Sequence, residues 1–553
     1  MKNRKWGQTP FILCLGFVIF LGSFLYAQNT EEKDTMLNAL QDELARSSAR
    51  LKLEKFDLPY YIAYRVDDFT TYTASASFGA LTGEGEARSR SLDTDVRVGS
   101  YVLDSSGYGG GYGSGIPLDD DYDAFRYAIW LATDRDYKAA LDTLARKKAY
   151  LETQKMEERP DDFSKEDAVV LLQPLKKFTF AKDRWKELAK KTSAIFKQYP
   201  DINQSGAAFS AAYSNRYLVN SENFKERITD NAFMYFTAEA QTQSEDGMPL
   251  GDVFTYFAYT EEQMPKDDEI LSATTRLADK VVALCKAPKA EDYRGPVLFE
   301  GNAAGEFFAS ALAYNLISKR PEEAEYGINM NAKLGKVIMP KFINCYDDPT
   351  QFEFNGKPLM GSYTVDDDGV KGQRVDLIQE GKPITLYMSR VPTKEIKKTN
   401  GHSQRGRGGP ANLFVESSDK MPMAELKKKL LEEADAEGLE YALLAKKLGG
   451  YGSGSGQINI PAPIELYRVY VKDGKEELIR GGSFEGGSLR TLRDIIATGD
   501  DTTVYNSFRG RGAGISIICP SILIKELDLK KPPQKFEKPP LTKNPYFEVK
   551  EIK

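Results

Sequence analysis

The chain holds one histidine, His402, among 553 residues, and that count bounds its chemistry before any fold is considered. A catalytic zinc site takes two or three imidazoles and keeps one position open, so the common versions cannot be built from this chain alone. Triads that use histidine as the base reduce to one candidate. His402 sits in KTNGHSQRGRGGPANL, a Gly/Arg segment without apolar periodicity, which predicts an exposed loop. Among carboxylates, Asp366-Asp367-Asp368-Gly369 offers oxygens for a hard cation. It lacks the alternating ligand spacing and terminal Glu of an EF-hand loop, so a turn between two strands is the stronger reading. Asp119-Asp120-Asp121 is equally unspecific. Two RGRG tracts place Arg405 and Arg407, and Arg509 and Arg511, where guanidinium forks could hold an anion or a peptide carboxylate. Arg-Gly pairs also serve turns that need positive φ.

One further stretch has the layout of a catalytic helix without its catalytic residues. In GPVLFEGNAAGEFFASALAYNLI (Gly295 to Ile317), a buried-type strand at Pro296 to Phe299 runs through a small-residue turn into a helix that carries Glu306 but no histidine.

The elements around these residues follow from texture and punctuation. Lys2, Arg4 and Lys5 precede the apolar run Phe11 to Leu25, which ends at Tyr26-Ala27-Gln28. This is the layout of a secretory signal cleaved after Ala27, with an uncleaved anchor as the other reading. It implies an exported protein, periplasmic or extracellular, with no membrane association after cleavage. Cys14 lies in that run, and the three remaining cysteines, Cys285, Cys345 and Cys519, are too few for a disulfide framework. Burial as small apolar residues suits them better. The formal charge of -6 and pI near 5.5 show no basic excess that would signal nucleic-acid binding.

Thr30 to Leu51 has helical spacing. Tyr60 to Asp104 reads as a meander of three antiparallel strands, and Ser105 to Gly115 as a Gly/Tyr surface loop. Helices are predicted over Ala124 to Met156 and Asp183 to Tyr199, covering one face of a sheet. Strand texture returns over Ala207 to Gln243 and helical texture over Thr260 to Ala287. Pro288 and Pro296 then bracket a charged connector. Beyond it, residues 334–390 are strand-rich. A single amphipathic helix is expected to align Leu426, Leu430, Leu439 and Leu443 before Gly449-Gly450 stop it. A hairpin turns at Asp473-Gly474, and strands close the chain before a Pro-rich extended tail over Lys531 to Pro545. The fold class is therefore α+β. Residues 1–27 form the signal and 28–287 an α/β domain with an antiparallel sheet and flanking helices. Residues 288–530 form a mostly antiparallel, barrel- or sandwich-like β domain, and 531–553 a tail.

The order of these features resembles the TldD/PmbA family, also called modulators of DNA gyrase, over roughly residues 33 to 530. The pieces that carry it are RVGSYVLD (Arg97 to Asp104), GPVLFEGNAAGEFFASALA, SYTVDDDGVKGQRVDLIQEGKP (Ser362 to Pro383), TNGHSQRGRGGPANL and SIICPSILIKELDL. In that family the TldD-type subunit is a zinc metallopeptidase with an HExxxH helix after the same strand and turn. The resemblance places Ala309 and Ser310 at the first His and the Glu, and Tyr314 at the second His. None of the three replaces a zinc imidazole. Cys519, immediately before Pro520, stands too late to match a further cysteine ligand of the TldD type. The resemblance therefore implies a metal-free PmbA/TldE-like member, with no zinc in this chain and no catalytic residues of its own. Such a subunit would form a homodimer, or a heterodimer with a TldD-like zinc-bearing partner, and help to enclose unfolded polypeptide. Two other functions stay open at this level: a metallopeptidase with relocated ligands such as Glu306 or Asp366 to Asp368, and a homo-oligomeric peptide-binding scaffold.

Overall fold

A computed structural model describes residues 34–106, 113–153, 159–176, 178–320, 328–449, 458–508, 514–533, 536–538 and 544–547. The signal-like segment, most of the Gly/Tyr loop, Arg509 and Arg511 lie outside these residues. No helix among the described residues is long and apolar enough to cross a membrane.

The first half is built on one long twisted sheet. Helix α1 (Thr35–Arg50) is followed by strands β1 (Tyr61–Ser77) and β2 (Ala80–Arg97), which form a single hairpin in place of the expected three-strand meander. The cause is local: Phe78 and Gly79 adopt φ of 51° and 81° and close a two-residue turn, a geometry matched to strand twist. Then come β3 (Ser114–Gly115), helix α2 (Tyr122–Thr153), β4 (Val170–Leu172), helix α3 (Lys182–Ala194), β5 (Gln204–Asn220), β6 (Lys225–Gln243), β7 (Pro249–Ala258) and helix α4 (Asp267–Lys286). The sheet order is β3-β2-β1-β5-β6-β4, with β7 also on β6.

Alternation fixes which face is covered. Ile62, Tyr64 and Val66 on β1 pack with α1 and α2, and Tyr72, Ala74 and Ala76 on the same strand face pack with α3 and α4. All four helices thus cover one face, two at each end, as the spacing of their apolar residues predicts. Trp185 of α3 stacks on Phe209 of β5 with centroids 4.6 Å apart. The opposite face meets the second half of the chain through Leu218, Phe224 and Val365.

The second half contains two open, mixed sheets. One centres on β8 (Tyr293–Phe299), which lies between strand 522–530, antiparallel to it, and strand 441–447, parallel to it. The other joins strands 375–379, 343–347, 412–417, 514–519 and 503–508. Neither sheet closes, so the barrel-like alternative is not formed. Helix α5 (Asn302–Ala311) lies in a core shared by both sheets. The long amphipathic helix expected up to Gly449 is shorter. Helix α6 (Met423–Ala436) ends at Gly438, whose φ of 71° lets Leu439 N–H reach Ala434 O at 2.9 Å. Leu443 then belongs to a buried strand, because the run YALLA carries no helical alternation. The Asp473-Gly474 hairpin and the strands of GISIICPSILIKEL form as expected. Cys345 and Cys519 are buried and Cys285 is half-buried, all three free. Described parts of the tail return over the first half, where Tyr546 packs edge-on against Phe78 at 5.1 Å.

Candidate functional site

The small-residue turn before α5 is needed for its close packing. Gly301 has φ of 56°, and Gly305 sits so near the strand 503–508 that a Cβ there would lie 2.4 Å from the Tyr505 Cβ. Ala303, Ala304, Phe307, Phe308, Ala309 and Ala311 are buried. Glu306 is buried too, and its carboxylate accepts a hydrogen bond from the Leu448 backbone N–H. The helix stops at Ala311 because Leu312 leaves helical geometry (φ -121°), and Tyr314 falls on the following 3-10 turn, Ala313–Leu316. Ala309, Ser310 and Tyr314 therefore do not project from one helix. Ala309 has no donor and lies in the core, so these three positions do not fit a zinc ion. Replacing Gly305 by alanine is expected to cost about 1–3 kcal/mol by overpacking against Tyr505, read as a lowered urea midpoint with an unchanged slope.

His402, expected in an exposed loop, is fully buried. Its ring lies 5.4 Å from that of Tyr387. Nδ1 is 3.0 Å from the Asn400 carbonyl and Nε2 is 3.3 Å from Asp347 Oδ1. Both ring nitrogens thus face protein oxygens, and neither is offered to a metal or substrate. The loop is buried because Asp347, itself without exposure, organises it: Oδ1 accepts from Asn412 N–H at 2.9 Å, and Oδ2 accepts from Ala411 N–H at 3.0 Å and Tyr387 Oη–H at 2.8 Å. Glycines in this segment meet backbone closely; a Cβ on Gly408 would stand 2.3 Å from Tyr387 O. The glycines that suggested mobility instead permit tight packing.

Asp366 to Asp368 do form a turn, bridged by Val365 and Lys371 and completed by Gly369 at φ 84°. The sequence did not show that it joins the two halves. Asp367 Oδ1 meets Arg65 Nη1 of β1 at 2.7 Å and Arg216 Nη1 of β5 at 3.6 Å. Burial alone would raise the Asp367 carboxyl, yet the two guanidiniums outweigh it and hold it below the usual carboxylate range. Asp366 behaves oppositely: burial, with the Asp368 charge beside it, pushes it well above that range, and burial raises Asp368 as well. Asp368 Oδ2 accepts the Arg390 backbone N–H at 3.1 Å, while the Arg390 side chain pairs with Glu222 at 2.8 Å. Arg405 and Arg407 occupy an exposed hairpin whose tip, Arg405-Gly406, has φ of 51° and 79°. Arg509 and Arg511 lie outside the described residues.

A cavity of about 780 Å³ lies between the halves, within the range of ligand sites. Phe178, Phe233, Phe257 and Tyr259 line it from the first half, and Phe352 and Met360 from the second. Tyr259 spans the junction through a hydrogen bond from its Oη to the Leu359 carbonyl, and its ring centroid is 6.3 Å from that of Phe352. Sequence reasoning missed this cavity. Its one local signal is aromatic alternation in KKFTF and VFTYFAYT, which by itself reads as ordinary strand. Among the described residues no group of three or more His, Cys, Asp or Glu side chains is arranged to hold a metal.

Residues 292–531 match the model of the family described as the PmbA/TldA metallopeptidase C-terminal domain. No curated protein matches the sequence. Three solved structures share the fold. A putative modulator of DNA gyrase from Bacteroides thetaiotaomicron superposes with a TM-score of 0.60 at 13% identity, over 90% of this chain and 99% of that one. TldE from Thermococcus kodakarensis gives 0.56 at 13% identity, over 90% and 100%. A putative modulator of a DNA gyrase from Thermotoga maritima gives 0.53 at 15% identity, over 85% and 96%. At such identities the likeness speaks for the fold.

Proposed function

Because this chain is a member of the TldD/PmbA family, with that family's C-terminal domain over residues 292–531, we propose that it is an exported, non-catalytic member that helps to enclose polypeptide. It pairs with itself or with a zinc-bearing relative. The observation that carries this reading is α5: the strand, turn and helix of the metallopeptidase layout are kept, while Ala309 is donorless and buried and Tyr314 lies beyond the helix end. His402, fixed between Asn400 and Asp347, is held in a structural role. Glu306, buried and engaged with the Leu448 N–H just after strand 441–447, is likewise held in a structural role. The cavity between the halves gives the chain a place to hold a ligand without chemistry of its own. The signal-like N-terminus supports export.

The test is purification of the full chain alone and together with an HExxxH-bearing family member, followed by zinc analysis and peptide hydrolysis. The chain alone is expected to retain no stoichiometric zinc and to cleave nothing, while the pair forms a complex that holds zinc and cleaves peptide. Tight zinc at one per chain, with hydrolysis by the lone chain, would sink the proposal.

A further inference from the structure

Strand β2 forms one edge of the first sheet. β1 fills its inner side, and on the outer side β3 pairs only with Ser91 and Leu92. From Ala80 to Ser89 every residue is exposed, and no strand among the described residues lies on that stretch of the outer edge. The register with β1 runs unbroken from Gly83 to Arg97, because its one shift lies at Ser75/Ala76 beside the turn.

The direction of the edge follows from the other side of β1. Ile62 N–H bonds the Ser221 hydroxyl at 3.1 Å and its carbonyl accepts the Ser221 N–H at 2.8 Å, so Ile62 turns its backbone groups toward β5. Ile62 is paired with Val96, and both members of such an antiparallel pair then point away from each other. Counting by twos along the unbroken register, Glu84, Glu86, Arg88 and Arg90 direct their N–H and C=O groups outward. Their side chains share the helix-covered face: Glu84 accepts from Tyr72 Oη at 3.0 Å, Glu86 meets Lys182 at 2.7 Å and Arg88 meets Asp68 at 2.6 Å. Gly83, Gly85, Ala87 and Ser89 make up the other face, where a Cβ on either glycine would meet nothing within 4 Å.

A long bare edge is a template for pairing, which proteins commonly guard with lysine or proline. β2 carries neither. Its charges stand instead in two blocks, Glu84-Gly85-Glu86 before Ala87 and Arg88-Ser89-Arg90 after it. Parallel, in-register pairing of two such strands sets like charge against like. Antiparallel pairing about Ala87 sets Glu86 opposite Arg88 of the other copy and Glu84 opposite Arg90, each twice by symmetry. These are also the residues whose backbone groups point outward, so the register that pairs the charges is one that closes the ladder. Glu86 and Arg88 keep 55% and 45% side-chain exposure beside their own partners, which leaves room for a second charge. On the other face Gly85 meets Ser89 of the other copy, and both are small.

We infer that the β2 edge is a self-association surface: two copies pair their β2 strands antiparallel about a twofold axis at Ala87 and join their first sheets into one. This inference rests on the reading that the chain pairs with itself and names the surface used. One strand pair lies at the small end of interface sizes, so the dimer is expected to exchange with monomer in about the micromolar range.

Sedimentation velocity of the purified full chain over a series of concentrations is expected to show this exchange. Glu86→Arg and Arg88→Glu each set like charges across the axis and are each expected to weaken the dimer about tenfold or more, while an equal mixture of the two variants recovers it. A variant that merely folded poorly would not be rescued by the other. Ala87→Cys is expected to give a disulfide-linked dimer on mild oxidation, because the two sulfurs face each other across a non-hydrogen-bonded pair. Ser89→Cys is expected to stay unlinked, since its two copies lie about 13 Å apart along the strands. Linking of Ser89→Cys as readily as Ala87→Cys, or a mixture of the charge variants that stays monomeric, overturns the inference. If the wild type dimerises and neither charge reversal changes that, this surface is wrong while self-pairing stands. A wild type that stays monomeric throughout removes both and leaves pairing with a zinc-bearing relative as the form of assembly.

Discussion

Replacing Asp347 by alanine is expected to lower the stability of the second half by about 3 kcal/mol or more, and to abolish the near-ultraviolet dichroism of the ring cluster around Tyr387. The carboxylate has no exposure and is the common acceptor for four groups: the N–H groups of Ala411 and Asn412, the Tyr387 hydroxyl and the His402 ring. Its removal strands those donors in the core, each at a cost of about 1–3 kcal/mol when no water can reach it. Asp347→Asn should be milder, because its amide oxygen still serves one pair of donors. His402→Phe is expected to cost less than either, since it removes a group rather than leaving several unsatisfied. Urea denaturation of the three variants checks the order. A loss below about 1 kcal/mol for Asp347→Ala would remove the carboxylate from its organising role.

Asp367→Asn is expected to cost about 1–3 kcal/mol near neutral pH, the range for a hydrogen-bonded charged group, because Arg65 and Asp367 keep 16% and 21% side-chain exposure, and to flatten the acid side of the stability profile. The groups acting on Asp367 are Arg65 on β1, Arg216 on β5, Arg405 through its backbone N–H, and the neighbouring carboxyl groups of Asp93 and Asp366. Because the folded-state value lies below the unfolded one, near 3.9, its contribution is present above about pH 4 and is lost as pH falls through the folded value. Asp366 and Asp368 have the opposite sign: their folded values are raised, so their favourable contribution exists below the unfolded value and is lost as pH rises. Wild type and Asp367→Asn should therefore differ most near pH 7 and converge as the solution is acidified below pH 4. Urea midpoints from pH 7 to 3 measure this. A constant separation across that range would mean that the carboxylate charge is not what joins the halves.

Much of the architecture was legible along the chain because it is written in local periodicity. The helices flanking the first sheet, the Asp473-Gly474 hairpin and the last two strands follow from spacing and turn residues alone. Misreadings arose where one residue's backbone conformation overrode a longer pattern: Phe78-Gly79 fold one hairpin where three strands were expected, and Gly438 ends a helix that apolar spacing would have prolonged to Gly449. The burial of His402 was not legible. Its neighbours are polar and glycine-rich, and the acceptor that draws it inward, Asp347, is 55 positions away.

By itself, the sequence determined that this chain offers no imidazole pair to a zinc ion, since it holds one histidine. Only the tertiary structure decided that α5 is a packed core helix ending at Ala311, that Asp367 ties β1 and β5 to the second half, and that an aromatic cavity opens between the halves. Ligand chemistry is a property of residue identity and can be counted along the chain. Burial, ion pairing and a cavity between two sheets depend on which distant segments meet, and a single chain's local pattern carries no record of that.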